Sequence, residues 1–228
     1  MVVLDEAYSE FAGVTLLGLR AAYPRLVVIR TASKAYALAG LRVGFAIAAR
    51  DTLAVMEPYR PPGSVSTVSV TIVTEALADP DVLSANLGRV ETERAYLADG
   101  LRAAGWNPEP SITNFLLVPF RDAERAATVA QQFLKEGLVP RTFPADHPLA
   151  NCLRLTVRDR AQDDRLLFKV VEGLYADWSN ADRPAELHIF TGVGHGFGLR
   201  TTNQMPAGAW PERFREWLAD RGFLRPTH

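Results

Sequence analysis

The chain has 228 residues, a formal net charge of −1 and 48% hydrophobic residues, enough apolar material for a packed core in one or two domains. A nearly neutral balance gives no electrostatic footprint for nucleic acid or an anionic membrane. A single cysteine, Cys152, excludes an internal disulfide and points to a reducing, cytoplasmic compartment. There is no leader pattern and no apolar run of about 18 residues.

In chain order, residues 1–4 form a short apolar run ending in Asp5-Glu6, the pattern of a buried parallel strand with carboxylates at its C-terminal end. Residues 26–29 and 43–48 read as two further strands of that kind, the first ending in Arg30-Thr31-Ala32-Ser33. Arg50 to Tyr59 reads as a helix, which Pro61-Pro62-Gly63 breaks. Residues 65–78 and 81–104 carry helical apolar spacing, and the second has a charged face of Arg89, Glu91, Glu93 and Arg94 expected in solvent.

A second α/β unit begins near Trp106: strand-like 112–118, an amphipathic helix over 122–136 stopped by Gly137, strand-like 138–141 and 152–157, and a helix over 159–175. Cys152 opens one of these strands and reads as a small buried hydrophobe. Trp178–Pro184 has the composition of a linker, followed by strand-like 185–190, a glycine-rich turn and an amphipathic helix over 209–221.

The most informative segment is Thr31-Ala-Ser-Lys-Ala-Tyr-Ala-Leu-Ala-Gly-Leu-Arg-Val-Gly44. It puts Lys34 just past a strand end, where an amine with a lowered pKa can attack a carbonyl. Thr31, Ser33 and Arg42 can together hold a phosphate dianion, and Gly40 and Gly44 permit close approach or positive φ.

That segment, with Asp5-Glu-Ala-Tyr8 upstream, resembles the lysine signature of fold-type I aminotransferases of class I/II, especially the histidinol-phosphate branch. Thr113-Asn114-Phe115-Leu116 and Leu153-Arg154-Leu155-Thr156 resemble that family's small domain. The resemblance implies pyridoxal phosphate as cofactor, Lys34 as its Schiff-base lysine and proton-transfer base, Asp5 on the pyridine nitrogen, Tyr8 on the phenolic oxygen, and Thr31, Ser33 and Arg42 around the phosphate. It implies Asn114 and Arg154 as substrate residues, a small-molecule substrate and a homodimer. Where the family has a glycine after Leu-Arg-x-x-Val, this chain has Arg158-Asp159. The likeness covers roughly residues 1–175 and leaves out the family's N-terminal portion, with its phosphate-binding turn and stacking aromatic.

The expected fold is α/β: part of the transferase large-domain sheet over 1–105 and a small α/β lobe over 106–177, with a C-terminal extension over 178–228. The extension resembles the histidine loop and last helix of α/β-hydrolase esterases, which makes His195 a candidate base. No Gly-x-Ser-x-Gly elbow accompanies it, so the simplest account is a fused or recombined frame. Two alternatives to the aminotransferase reading stay open: a cofactor-independent ester hydrolase using His195 or the Ser33/Lys34 pair, and an inactive remnant.

Overall fold

The computed structural model describes residues 1–181 and 210–220. The chain divides into two compact units, Met1–Phe168 and Lys169–His228. In the first unit, strands β1 (Val2–Asp5), β2 (Leu26–Thr31) and β3 (Gly44–Ile47) form one sheet in the order β1-β2-β3. β1 runs parallel to β2, with Asp5 opposite Ile29, so the carboxylate end of β1 and the end of β2 that leads into the lysine segment lie side by side.

β3 is antiparallel to β2, with Thr31 opposite Gly44, so the sheet is mixed, as expected for these three strands. The segment between them folds back on itself, Ala32 N–H donating to Val43 O and Leu38 N–H to Ala32 O, and a chain that returns beside its own strand pairs antiparallel. One expectation about these strands is corrected: β1 is not buried, Val2 and Val3 being 63% and 58% exposed, while Val27 and Val28 of β2 are 1% and 0% exposed. Among the described residues, β2 is the only strand of this sheet with a neighbour on both sides.

Helix α1 (Ser9–Ala12) is short and ends at Gly13, whose φ of 64° is left-handed. α2 (Arg50–Met56) tightens into a 3₁₀ turn over Glu57–Tyr59 ahead of the proline pair. α3 (Thr67–Ala78) starts where the Ser66 hydroxyl accepts the Ser69 N–H at 3.0 Å. α4 (Pro80–Ala103) starts where Asp79 accepts the Asp81 N–H at 2.9 Å, with Pro80 in the first turn. Val73 of α3 packs with Ala32 and Val43, so the helix backs the lysine segment.

The charged face of α4 is not wholly solvated as expected. Arg94 donates to Ile112 O and Thr113 O at 3.3 and 3.0 Å, and Glu93 accepts from Arg160 at 2.7 Å. Side chains that read as a surface stripe thus fix α4 to the segments before β4 and at the start of α6 (Arg160–Asn180).

β4 (Phe115–Pro119) and β5 (Cys152–Thr156) pair antiparallel, with Leu117 opposite Arg154. Their buried side chains Leu116, Val118, Leu153 and Leu155 share a core layer with Val129 and Phe133 of α5 (Ala123–Lys135). Gly137, at φ 72°, ends α5 as expected: Leu138 N–H reaches Phe133 O and Gly137 N–H reaches Leu134 O, a Schellman pattern. Cys152 is buried, and burial pushes its thiol up, away from the reactive thiolate.

The 138–141 strand reduces to one bridge, Arg141 with Arg154, because Pro140 has no N–H to extend a ladder. α6 runs on through Asn180, so residues 178–180, read as linker, are helical. α7 (Trp210–Asp220) lies within the helix expected over 209–221. The expected strand over 185–190 lies outside the described residues. No described helix is long and apolar enough to cross a membrane.

Asp163 in α6 is fully buried, its two carboxylate oxygens sharing the Arg158 N–H at 3.2 and 3.3 Å. Burial is the largest influence on its carboxyl, with Glu93 and Asp159 adding to it, and pushes it up to about 6 from 3.8. A raised carboxyl favours folding below its unfolded value and loses that contribution as pH climbs through about 6. Asp163→Asn keeps an acceptor without the charge. Relative to wild type it should gain about 2–3 kcal/mol of unfolding free energy between pH 4 and pH 7, read by urea denaturation. A constant difference across that range would be inconsistent with a charge origin.

Candidate active site

The site is built on the adjacent ends of β1 and β2. Glu6, one residue past β1, is buried. Its carboxylate accepts the Leu16 N–H at 2.6 Å, the Thr15 hydroxyl at 2.7 Å and the Arg30 guanidinium at 2.9 Å. Arg30, on β2, also pairs with Glu10 of α1 at 3.3 Å. Burial alone would raise the Glu6 carboxyl, but the bonds from Thr15, Leu16 and Arg30 outweigh it and hold it below its ordinary value. This network clamps β1, α1 and β2 together where the functional side chains leave the sheet. The sequence reading named Glu6 and Arg30 only as the ends of two apolar runs and gave them no role; their signal was opposite charges at the ends of neighbouring strand patterns.

Asp5 ends β1 exposed, one carboxylate oxygen accepting the Ala7 N–H at 2.9 Å. Tyr8 caps α1 with its ring partly buried. The Lys34 Nζ sits 5.6 Å from the centre of the Tyr8 ring and, among the described residues, has no carboxylate partner. An amine against an aromatic face and away from any counter-ion is the arrangement that a carbonyl-attacking lysine needs.

The loop around Lys34 is held by its own hydroxyl and backbone groups. The Thr31 hydroxyl donates to Val43 O at 3.3 Å and accepts the Ser33 N–H at 3.0 Å. Arg42 donates to Ala39 O at 3.1 Å and is otherwise exposed. Positive φ falls on Ala37 (59°) and Arg42 (56°), not on Gly40 or Gly44. Gly44 is needed for close approach, since a Cβ there would lie 3.3 Å from Arg30 O, whereas Gly40 faces open space. Two non-glycine residues in the left-handed region within one loop mark stored backbone strain.

Across from this loop, Arg154 on β5 lays its guanidinium 4.8 Å from the Phe115 ring centre, and Phe115 meets the Tyr8 ring edge-on at 5.8 Å and 87°. Lys34, Tyr8, Phe115 and Arg154 therefore form one continuous line of contacts. Arg154 Nε is buried without a hydrogen-bond partner. Arg141, which the sequence reading did not single out, exchanges both backbone bonds with Arg154, at 3.0 and 2.9 Å. Residues paired this way carry their side chains on the same face. Two arginines side by side, without an ion pair among the described residues, are chemically an anion grip.

Asn114 precedes β4, and its carbonyl accepts the Val157 N–H at 2.9 Å, which ties the loop before β4 to the end of β5. The strand stays regular through Thr156 despite Arg158-Asp159 in place of a glycine, because Asp163 anchors the Arg158 N–H. His195 lies outside the described residues. Ser33 and Lys34 form no hydrogen bond with each other among the described residues, so the structure gives the hydrolytic pair no support.

A lysine just past a strand end, joined through two aromatic rings to a pair of arginines, can chemically take up an anionic carbonyl or amine, and comparison with known proteins places the chain more narrowly. The model of the aminotransferase class I and II family matches residues 1–170, and the chain belongs to that family. It is similar to histidinol-phosphate aminotransferase 1 of Carboxydothermus hydrogenoformans, 36% identical over 172 residues that make up 75% of this chain and 48% of that protein. It is likewise similar to the histidinol-phosphate aminotransferase of Xanthomonas campestris pv. campestris, 40% identical over 172 residues, 73% of this chain and 47% of that protein. Among solved structures it resembles the histidinol-phosphate aminotransferase of Sinorhizobium meliloti in complex with pyridoxal-5'-phosphate, with a TM-score of 0.71 and 28% identity over 77% of this chain and 49% of that one. The chain spans about half the length of the curated relatives it matches. The family match stops at residue 170, short of the segment read as an esterase end.

Removing the clamp should be costly. Glu6→Ala leaves the partly buried Arg30 with Glu10 as its remaining ion pair and Thr15 as a neutral acceptor, and should cost about 2–3 kcal/mol at pH 7. Because the folded carboxyl is held low, its contribution is present above the ordinary glutamate range and disappears as pH falls through the folded value. Wild type and variant should therefore converge in chemical denaturation toward pH 3; a gap that stays constant would mean lost packing instead of lost charge.

Proposed function

We propose that the chain carries the lysine-bearing and substrate-gripping half of a pyridoxal-phosphate-dependent aminotransferase site, acting on an amino compound with a carboxylate or phosphate group. The observation that carries it is the line from Lys34 through Tyr8 and Phe115 to Arg154. In this reading residues 1–105 are part of a cofactor-binding large domain and 106–177 its small domain. A homodimer in the cytoplasm accords with the family and with a single buried cysteine.

The residues present fit the cofactor's aldehyde and ring side. Lys34 offers an amine with no carboxylate partner among the described residues, Tyr8 a phenol ring centred 5.6 Å from that amine, and Asp5 a carboxylate at the strand end for the pyridine nitrogen. Ser33 and the exposed guanidinium of Arg42 would serve the phosphate, while Thr31 shapes the loop through Val43 O. Bound there, pyridoxal phosphate would supply an electron sink for charge released at the substrate's α-carbon. Asp5 would hold the proton on the ring nitrogen, and Lys34 would take up and return the α-carbon's proton. Arg154, with Arg141 beside it, fixes the anionic end, so the carbon presents a single face to the lysine.

The histidinol-phosphate aminotransferase relatives support a phosphate-bearing amine as the substrate class. Addition of pyridoxal phosphate should give a visible absorbance band, borohydride should fix the cofactor's mass on the peptide containing Lys34, and Lys34→Ala should abolish both. Arg154→Gln should leave the band intact and weaken anionic substrates by about tenfold or more. A wild-type chain whose spectrum does not change at saturating pyridoxal phosphate would sink the reading, and cofactor-independent turnover of p-nitrophenyl esters would favour the hydrolase instead.

A further inference from the structure

We propose that Phe115 is a positioning residue for Arg154: its ring holds the guanidinium flat and fixes the direction in which the charged fork is offered to an anion. The inference deepens the reading of Arg154 as an anion grip and rests on it.

An arginine that offers its charge to a ligand needs something to hold it. Most partly buried arginines are held by a carboxylate, which occupies the N–H fork that a ligand would need. Arg154 has no ion pair among the described residues, its Nε is buried without a partner, and Arg141 stands opposite it across the bridge. Like charges on facing positions repel, so both would tend to swing apart into solvent. What keeps Arg154 in place is the Phe115 ring at 4.8 Å, within cation–π range. A ring lying over the guanidinium carbon attracts the cation through its π-face and, unlike a carboxylate, does not take up the N–H fork as a conventional acceptor.

The register makes this contact possible. Phe115 pairs with Thr156 and Leu117 with Arg154, so ring and guanidinium are diagonal neighbours on one face of the β4–β5 ladder. Phe115 is itself fixed from two sides. Its carbonyl accepts the Ser111 and Thr113 hydroxyls at 2.7 and 3.3 Å, and its ring is braced edge-on by Tyr8 at 5.8 Å. A packing role alone would be met by any apolar side chain of that size. Only an aromatic ring attracts the cation, so the identity of the residue becomes the test.

The experiment uses the full-length chain, labelled with ¹⁵N, and follows the Arg154 Nε–H resonance, assigned by its loss in Arg154→Lys, during titration with inorganic phosphate. In wild type this proton should be shielded by the ring and slow to exchange. Phe115→Tyr should preserve both features and hold phosphate affinity within about twofold. Phe115→Leu, checked for folding by its backbone spectrum, should move the resonance to the solvent-exposed position and weaken phosphate by about fivefold to tenfold. An unchanged resonance and affinity in Phe115→Leu would overturn the proposal, as would a wild-type resonance already at the exposed position, which needs no variant to observe. If the shielded resonance depends on Phe115 but wild type takes up no phosphate, the positioning role stands and the anion-grip reading of Arg154 is what fails.

Discussion

The buried carboxylate of Glu6 and the guanidinium of Arg30 set the arrangement on which the site depends. They add a side-chain link to the ladder bonds between two parallel strands, at the level where Asp5 and the lysine segment leave the sheet. Parallel neighbours deliver their C-terminal ends to the same edge. That geometry brings Asp5, Tyr8, Thr31, Ser33 and Lys34 to one rim although more than twenty residues separate the two groups in sequence. The clamp fixes the rim by satisfying a buried charge several times over, which is the condition under which a buried ion pair specifies a structure instead of weakening it.

A second constraint lies across the site. The β4–β5 ladder presents Arg154 and Phe115 diagonally, and Tyr8 meets Phe115, so the substrate side and the lysine side are joined through aromatic rings. Rings transmit position without using up charge. Neither Lys34 nor Arg154 has a carboxylate partner among the described residues, so both side chains can act on a ligand. The pair Arg141 and Arg154 leaves a concentration of positive charge at this end of the lobe, compensated by no ion pair among those residues.

Much of the architecture was legible in the residues. Apolar runs located β1, β2 and β5, helical spacing located α3 to α6, and Gly137 marked a helix end that the structure closes with a Schellman pattern. The lysine segment and the Leu-Arg-Leu-Thr motif located Lys34 and Arg154. Strand direction was not legible, because an apolar run reads the same in either sense; only the fold-back from Ala32 to Val43 decides it for β3. Burial of β1 was overestimated because a run of valines does not record whether a second neighbour is present. The tertiary roles of Glu6, Asp163 and Arg141 were not legible for a shared reason. Each looks like an ordinary surface charge until tertiary partners remove it from solvent or set it opposite another charge. His195 and the 185–190 segment lie outside the described residues, and the esterase likeness has drawn no support from the comparisons.

The positive φ angles at Ala37 and Arg42 set two design goals against each other. Glycine at position 42 would relax the backbone by about 1 kcal/mol. It would also delete the exposed guanidinium nearest the lysine loop that is read as a phosphate ligand. A procedure that ranks substitutions by folding energy would choose glycine there, and one that ranks them by ligand chemistry would forbid it. At Ala37, where the side chain is a single methyl group, the conflict vanishes and both criteria accept glycine. The two positions share one backbone conformation, yet only one of them is open to stabilisation without loss.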